Sequence, residues 1–262
     1  MKYNRVFVLV FAALLGIFLG SLVSATPSGA NVTFENSSTG VTIAAGSQGA
    51  YAGNLTEITL SGDSVTPSWQ GYYGNVTGAI RLADSSGNDL YNWSVASPSG
   101  EVYSSTNSSI SWSNIQCFNF TATGAINPAG ETAGGTNLKG MNLTQLQNQY
   151  NISVTDSDNV NNTFNYSGAG SHADFYTGSL LFDGSECQST RVFDNSGAGV
   201  SGNFEEVIQY EPTTNSVVWT SLLNKDVLGF DNKAHDFEML VPEDGHGTDT
   251  ATTTYYFYVE LQ

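Results

Sequence analysis

The sequence predicts an all-β protein built as a β-sandwich of the immunoglobulin-like or jelly-roll-like kind. Three observations lead to this fold class. Apolar and polar residues alternate with a period of two in many short runs, clusters of Gly, Asn, Asp and Ser separate the runs, and helix signals are nearly absent. One large sandwich and two packed β subdomains both agree with this pattern.

The first twenty-five residues have the organisation of a secretory signal peptide. Lys2 and Arg5 form a basic start, residues 6–23 are apolar, and residues 23–25 end in a signal-peptidase pattern. We expect cleavage after Ala25 and an extracellular product, either secreted or associated with the cell surface. No later apolar run approaches the roughly twenty residues that a membrane-spanning helix needs, so no span is expected after cleavage.

The chain is strongly acidic. It carries 7 Lys and Arg against 24 Asp and Glu, and the predicted signal peptide contains two of those basic residues. A negative charge of this size repels nucleic acid and anionic membrane surfaces. Neither is therefore expected as a partner.

Residues 124–141 are rich in Gly, Ala, Thr and Asn and predict a long loop or linker. They separate a first β region, 26–123, from a second β region, 142–262. We expect these two regions to pack as parts of one structural unit, although two subdomains remain open.

The strands are predicted in chain order from alternation and turn residues. A hairpin is expected from residues 76–82 and 90–95 around a turn at 84–89, and single strands from residues 235–241 and 255–261. Further strands are predicted near 55–60, 101–104, 109–122, 150–155, 174–182, 204–210 and 216–222. The one helix predicted covers residues 143–150 and is short.

Two cysteines, Cys117 and Cys187, are present in a chain that is expected to be exported. An even, isolated pair in an oxidising compartment predicts one disulfide. The long spacing between them excludes a redox CxxC motif and a paired metal-ligand motif.

The N-glycosylation motif Asn-X-Ser/Thr is more frequent than composition predicts, which favours a glycoprotein. The motif begins at Asn31, Asn36, Asn54, Asn75, Asn92, Asn107, Asn119, Asn142, Asn151, Asn161 and Asn165. A chain rich in Asn, Ser and Thr also produces such motifs by accident, which is the competing interpretation. Because residues 167–262 contain none, we expect that part to include the surface that meets other molecules.

No catalytic residue is assigned, and an enzyme is not expected. Residues 197–202 match GxGxxG, but no βαβ pattern surrounds them, so a Gly-rich turn is favoured. His235 lies on the apolar side of a strand and is interpreted as a packed residue. Acidic pairs at Glu205–Glu206 and around Asp226 and Asp231 do not reveal the spacing in space that glycosidase chemistry needs.

The best candidate for a metal site is the stretch 156–161, in which Asp156 and Asp158 supply oxygen donors directly after an apolar run. Ca²⁺ is the cofactor that such donors favour. The stretch lacks the donor and the glycine that an EF-hand places at its fifth and sixth positions. A solvated turn between strands is the preferred interpretation.

A resemblance comes from residues 68–78, SWQGYYGNVTG, from the hairpin 84–93 that follows and from residues 255–260, YYFYVE. The chain resembles a group of secreted archaeal surface proteins of poorly defined role, most specifically in the string WQGYYGNVTG. The resemblance implies a glycosylated cell-envelope or filament-associated protein that is not an enzyme.

Three functions therefore stay open, and the first is preferred. The first is a non-enzymatic structural or adhesive component of a cell envelope or surface filament, with copies of itself or other envelope proteins as partners. The second is a carbohydrate-binding module that stacks glycans on Trp69, Tyr72 and Tyr73. The third is a secreted hydrolase.

Overall fold

The structure is a computed structural model that describes residues 26–41, 43–94, 99–120, 141–166, 170–245 and 252–262. The predicted signal peptide and almost all of the predicted linker 124–141 lie outside the described residues. The β-strands are β1 Ser28–Gly29, β2 Trp69–Gly74, β3 Ala79–Ala83, β4 Asp89–Ser94, β5 Gly100–Ser105, β6 Gln116–Cys117, β7 Phe175–Thr177, β8 Leu180–Phe182, β9 Ser189–Arg191, β10 Glu205–Glu211, β11 Ser216–Leu222, β12 Val227–Leu228, β13 Ala234–His235, β14 Phe237–Pro242 and β15 Tyr256–Leu261. The helices are α1 Leu143–Gln149, α2 Val160–Thr163 and a 3₁₀ turn at Trp112–Asn114.

Seven strands form one antiparallel sheet at the centre of the molecule. Six of them follow the order β1-β15-β5-β11-β10-β6, and β9 also pairs with β10. Strands that precede and follow the predicted linker therefore lie in the same sheet. Four smaller two-stranded pairs, β2 with β14, β3 with β4, β7 with β8 and β12 with β13, complete the strand pairing.

The hairpin β10–β11 is the centre of the core, because almost every residue of both strands is buried. One face of the sheet packs its Trp219 and Ile208 against β14 and against the helical segment that contains Phe164. The other face packs its Val207 and Val218 against the β7–β8 hairpin. Strands covered on both faces need apolar side chains on both, which is why β10 and β11 do not alternate cleanly.

Side chains of the central hairpin attach β14 to it without a strand ladder between them. The Ser221 hydroxyl donates to the carbonyl of Glu238 at 2.9 Å, and the N–H of Leu240 donates to a carboxyl oxygen of Glu206 at 2.8 Å. Burial raises the pKa of Glu206 well above its usual value. The predicted all-β, sandwich-like fold is confirmed, with β2 and β14 forming part of the second layer.

The structure confirms the predicted disulfide between Cys117 and Cys187, whose Cα atoms lie 5.1 Å apart. Cys117 is in β6 and Cys187 lies two residues before β9, so the bond joins two segments that both pair with β10. The N–H of Cys187 also donates to Nε2 of His172 at 2.9 Å. This end of the sheet is therefore fixed covalently.

Most strand predictions hold, including the hairpin now seen as β3–β4 and the strands β5, β10, β11, β14 and β15. The single strand predicted near 174–182 is instead a short hairpin, β7–β8, that turns at Gly178. The prediction is wrong at 150–155, where the chain turns: Asn151 has a φ of 53°, and the Asp156 carboxylate accepts from the N–H of Ser153 at 2.7 Å. Of residues 109–120, which the structure describes, only Gln116–Cys117 form a strand, β6, and residues 55–60 form none.

The predicted helix is confirmed as α1, and its first turn explains where it begins. The Asn142 side chain accepts from the N–H of Gln145 at 2.8 Å, and the Gln145 side chain accepts from the N–H of Asn142 at 2.9 Å. This reciprocal capping box satisfies two N–H groups of the helix end. Sequence reasoning missed α2, which Asn159 caps through a bond from the N–H of Asn162 at 2.9 Å.

Candidate functional site

The β3–β4 hairpin differs from the rest of the strands because every one of its residues is exposed. Its two strands pair only with each other. An isolated two-stranded hairpin is marginally stable in water unless its apolar face packs against something. The hairpin is therefore the part of the described chain that most clearly requires a partner.

The register gives this hairpin one apolar face. Ile80 lies opposite Trp93 and Leu82 lies opposite Tyr91, and residues that face each other across a ladder share one side of it. The four side chains, which we call the hairpin face, are 47% to 57% exposed, and the rings of Tyr91 and Trp93 have centroids 4.9 Å apart. A contiguous apolar surface of this kind is typical of an interaction site.

The opposite face of the hairpin carries an ion pair and a sequon. Arg81 lies opposite Asn92, and the guanidinium of Arg81 contacts the Asp89 carboxylate at 2.7 Å. Because Asn92 is on this side, a glycan attached to it would point away from the hairpin face. Glycosylation would leave the apolar side open.

The turn of the hairpin is held by one carboxylate. Asp84 Oδ1 accepts from the N–H groups of Ser86 and Asn88 at 2.9 and 2.8 Å, and Oδ2 accepts from the Asn88 side chain at 2.9 Å. The bonds from Asn88 hold the pKa of Asp84 below its usual value. Gly87 takes a φ of +83°, which this turn requires of its fourth residue.

The structure does not bring the predicted sugar-stacking residues together. Trp69 packs against Phe164 and Trp219, and Tyr72 packs against Phe257, so both belong to the core. Tyr73 alone is substantially exposed, at 46%, and its ring meets Phe230, which is 52% exposed, at a centroid distance of 5.0 Å. The predicted platform is wrong for Trp69 and Tyr72, because they pack into the core while Tyr73 turns outward.

Beneath this exposed aromatic pair lies a group of polar side chains. His235 packs against Tyr73, and its Nε2 contacts the Asp231 carboxylate at 2.9 Å. Despite some burial, the bonds from His235 and Lys233 lower the pKa of Asp231 to about 2. Glu238 is buried beside them, and that burial raises its pKa to about 7. His235 is thus a packed residue, as the sequence predicts, with an acidic partner that the sequence does not reveal.

Eight of the eleven sequon asparagines are exposed and three are half-buried. The exposed ones are Asn31, Asn36, Asn54, Asn75, Asn92, Asn151, Asn161 and Asn165. The half-buried ones are Asn107, Asn119 and Asn142. The Asn107 side-chain nitrogen already donates to the Ser216 hydroxyl at 2.9 Å, so a glycan there would share its nitrogen with that bond.

The carboxylates of the predicted metal site have other partners. Asp156 binds the N–H of Ser153, and Asp158 accepts from the Thr66 hydroxyl while its carbonyl accepts from the Trp69 indole at 2.6 Å. Asp158 therefore fixes the chain where it enters β2. Among the described residues, no group of three or more His, Cys, Asp and Glu side chains is placed to hold a metal ion.

A buried pair of carboxyl groups was missed by sequence reasoning. Glu101 and Glu260 face each other across β5 and β15 and are 3% and 1% exposed. The Tyr103 hydroxyl donates to Glu260 at 2.9 Å, as does the N–H of Gly178 at 2.9 Å. Burial, with repulsion from Glu260, raises the pKa of Glu101 to about 8. The pair arises from the register of two strands that are far apart in the sequence, so no local sequence pattern predicts it.

The pair Glu205–Glu206, which the sequence suggests, does not form such a site. Glu205 and Glu206 are neighbours on β10 and point to opposite faces of the sheet. Glu205 accepts from the N–H groups of Ala173 and Gly202 at 2.9 and 2.8 Å, while Glu206 binds β14. Residues 197–202 form the predicted turn without a helix.

Among the helices that the structure describes, none is long and apolar enough to cross a membrane. No family model, no curated protein and no solved structure matches the chain.

Proposed function

We propose that this protein is a non-enzymatic extracellular glycoprotein that acts as a structural or adhesive subunit of a cell envelope or surface filament. The observation that carries the proposal is the unsupported amphipathic β3–β4 hairpin, which shows four apolar side chains on one face and a sequon on the other. Apolar side chains that stay exposed to water do not stabilise a free monomer, whereas a subunit of an assembly buries them in its contact.

Three further features agree with this function. The disulfide joins two segments beside β10, which stabilises a fold outside the reducing cytoplasm. Most sequon asparagines lie on the surface, where glycans would shield the chain. The third feature is the resemblance of WQGYYGNVTG and the hairpin that follows it to secreted archaeal surface proteins, which fits the same role.

The test is to isolate the exported protein from a host that glycosylates it, and to examine it by size-exclusion chromatography and electron microscopy. The expected result is an assembly, or retention on the cell surface. Replacing Ile80→Asp and Leu82→Asp places charge on the hairpin face and should abolish assembly. A strictly monomeric wild-type protein released into the medium would contradict the proposed function.

A matched control uses the same strand and the same added charge. Ala79 and Ala83 are exposed and lie opposite Ser94 and Asp89, outside the hairpin face. Because a carboxylate at position 83 would face Asp89, the control is the single variant Ala79→Asp, compared with the single variant Ile80→Asp. Ala79→Asp should assemble as the wild type does. Loss of assembly in both single variants would mean that charge, rather than the hairpin face, decides the result.

A second candidate function is carbohydrate binding at Tyr73 and Phe230. Their exposed rings lie 5.0 Å apart above the Asp231 carboxylate and His235, and sugar-binding sites combine aromatic rings with polar groups in this way. Titration of the protein with oligosaccharides, followed by tyrosine fluorescence, should show saturation that Tyr73→Ala removes. If the fluorescence responds to none of the glycans tested, carbohydrate binding at Tyr73 and Phe230 is refuted and only the structural function remains as a proposal.

A further inference from the structure

Glu238 is a buried carboxyl group beneath the aromatic pair Tyr73–Phe230, and one of its oxygens is unpartnered. It lies opposite Tyr73 in the β2–β14 ladder and is only 2% exposed. Its Oε1 accepts from the N–H of Phe230 at 3.2 Å, whereas its Oε2 has no hydrogen-bond partner in the described part of the chain. Buried polar atoms are nearly always bonded, so this oxygen marks a place where the structure is poised to change.

The bond from Phe230 connects Glu238 to a surface turn. Residues 229–233, which we call the Phe230 turn, are closed by two bonds of their own. The N–H of Gly229 donates to the carbonyl of Lys233 at 2.8 Å, and the N–H of Asn232 donates to the carbonyl of Gly229 at 2.9 Å. The turn lies directly on the Glu238 carboxyl, because a Cβ on Gly229 would collide with Oε1. Lifting the turn would therefore admit water to the carboxyl and move the phenylalanine at the same time.

The charged groups that act on Glu238 are acidic. Asp231 in the Phe230 turn and Asp194, which forms a bridge with Gly229, both repel it. The Lys233 ammonium and Nε2 of His235 contact the Asp231 carboxylate, at 3.3 and 2.9 Å, rather than that of Glu238. A negative charge on Glu238 would thus have two like charges close by.

The remaining acids near β14 are occupied by other groups. Asp236 accepts from the N–H groups of Val76 and Asp226 at 2.8 and 3.1 Å. Glu206 on β10 accepts from the N–H of Leu240 at 2.8 Å. Neither carboxyl exchanges its partner with Glu238, so the bond to the Phe230 turn belongs to Glu238 alone.

Glu238 therefore favours its protonated form in the folded protein. Burial and the repulsion by Asp231 and Asp194 raise its pKa to about 7, although the bond from the N–H of Phe230 lowers it. The contribution of a group with a raised pKa is present below its ordinary pKa of 4.5 and is lost as the pH rises through about 7. Above that value the carboxylate needs water at Oε2, and only a displaced turn would supply it.

We propose that Glu238 is a positioning residue for the aromatic pair: its protonated form lets the Phe230 turn lie against the body, and loss of the proton to water lifts the turn and moves Phe230 away from Tyr73. This inference rests on the second candidate function, carbohydrate binding, and describes the regulation of that site. A sugar that stacks on both rings needs both in place. Binding is therefore restricted to the protonated protein.

The size of the effect follows from the fraction of protein that can bind. With a pKa of about 7, the protonated fraction falls about tenfold between pH 6 and pH 8. The apparent affinity of a ligand falls by the same factor as the fraction of the competent state. We therefore expect about tenfold weaker binding at pH 8, and no such loss in Glu238→Gln, which keeps the shape of the protonated acid.

The first experiment needs no ligand. NMR spectra of the wild type and of Glu238→Gln are recorded between pH 6 and pH 8, and the amide signal of Phe230 and the ring contact between Tyr73 and Phe230 are followed. In the wild type the amide signal should titrate near pH 7 and the ring contact should weaken. In Glu238→Gln both should stay constant.

The second experiment measures binding with cellohexaose as the probe. Its glucose rings carry their hydroxyl groups equatorially and offer flat C–H faces to aromatic side chains. Isothermal titration at pH 6 and pH 8 should show the tenfold loss in the wild type only. Glu238→Gln should bind at pH 8 as tightly as the wild type binds at pH 6.

A matched control is Glu206→Gln, which changes another buried carboxyl that is bonded to an N–H of β14. It should keep the wild-type transition at Phe230, because Glu206 makes no bond to the Phe230 turn. If both glutamine variants abolish the transition, the loss is a general response to a changed buried acid and the inference is wrong.

Three further results would overturn the inference. A ring contact that persists unchanged at pH 8 would mean that Glu238 does not control the turn. A transition that survives in Glu238→Gln would belong to another group, such as His235 beside Tyr73. Equal wild-type affinity at pH 6 and pH 8 would mean that the turn does not regulate binding.

Failure of the carbohydrate function itself gives a different result. The transition at Phe230 would occur and would depend on Glu238, yet cellohexaose would bind at neither pH. That outcome refutes the regulation of a sugar site, and it leaves Glu238 as a residue that positions the turn for no sugar.

Discussion

Replacing Glu101 with Gln should stabilise the protein at neutral and alkaline pH. The glutamate lies in the core opposite Glu260, with only 3% of its surface exposed. Burial and the repulsion by Glu260 raise its pKa from 4.5 to about 8, so it is protonated in the folded protein at neutral pH. Glutamine has the shape of the protonated acid and never needs to carry the charge.

The magnitude follows from the shift of the pKa. The folded state holds the Glu101 proton more tightly than the unfolded state, so this group's contribution is fully present below pH 4.5. It is lost as the pH rises through about 8. The whole shift corresponds to about 5 kcal/mol, and about 3 kcal/mol of it is already lost at pH 7.

The assay is urea unfolding of the wild type and of Glu101→Gln at several values between pH 4.5 and 9. The difference in unfolding free energy should grow by about 1.4 kcal/mol per pH unit between the two pKa values, 4.5 and about 8, and should level off above that. Other buried acids, including Glu206 and Glu238, are present in both proteins, so the difference reports Glu101 together with its coupling to Glu260. A constant difference across the range would refute the reasoning.

Glu211→Gln is a control of opposite sign. The Glu211 side chain accepts from the N–H groups of Thr213 and Thr214 at 2.7 and 2.8 Å. Burial alone would raise its pKa, but the bonds from Thr214 and Thr213 outweigh that effect and lower it. Its contribution is therefore present at neutral pH and lost in acid, so the substitution should destabilise the protein at pH 7.

Three further predictions concern the backbone, the disulfide and the hairpin turn. Gly229→Ala should lower the free energy of unfolding by roughly 1–3 kcal/mol, because the added Cβ would lie 2.0 Å from Oε1 of Glu238. Gly62→Ala is the control: the space around Gly62 is open, so this substitution should leave the free energy of unfolding unchanged. Replacing Cys117 and Cys187 with Ser should lower the unfolding free energy by about 4 kcal/mol for a loop closed across 70 residues, and unchanged urea unfolding would contradict this. Asp84→Ala should speed amide hydrogen exchange at Leu82 and Tyr91 while β10 stays protected; equal protection would show that the carboxylate does not hold the turn.

The sequence predicts those parts of the fold that depend on local chemistry. The β3–β4 hairpin is predictable because Asp84 and Gly87 specify the turn and alternation specifies the strands. The chain from 55 to 60 has the same alternation and yet forms no strand, because a strand also needs a neighbour to pair with.

The candidate site was only partly predictable, for a physical reason. WQGYYG shows that aromatic side chains are concentrated in β2, but not which of them face the core, since Trp69 and Tyr73 meet different surroundings although they lie on one strand. The hairpin face follows from the cross-strand register of β3 and β4, which the turn fixes. The Glu101–Glu260 pair depends on a pairing between remote strands, which local patterns do not contain.

The order of strands in the central sheet determines when the fold can close during synthesis. β5 pairs with β11 and β15, and β15 pairs with β1 through the register Ser28 to Val259. β1 and β5 therefore cannot pair in the sheet until β11 and β15 have been synthesised, and sheets with such remote pairing fold slowly. All eleven sequons precede β10 in the chain. Asparagines that the finished fold half-covers, such as Asn107 beside Ser216, stay accessible to a glycosylating enzyme until β11 has been made.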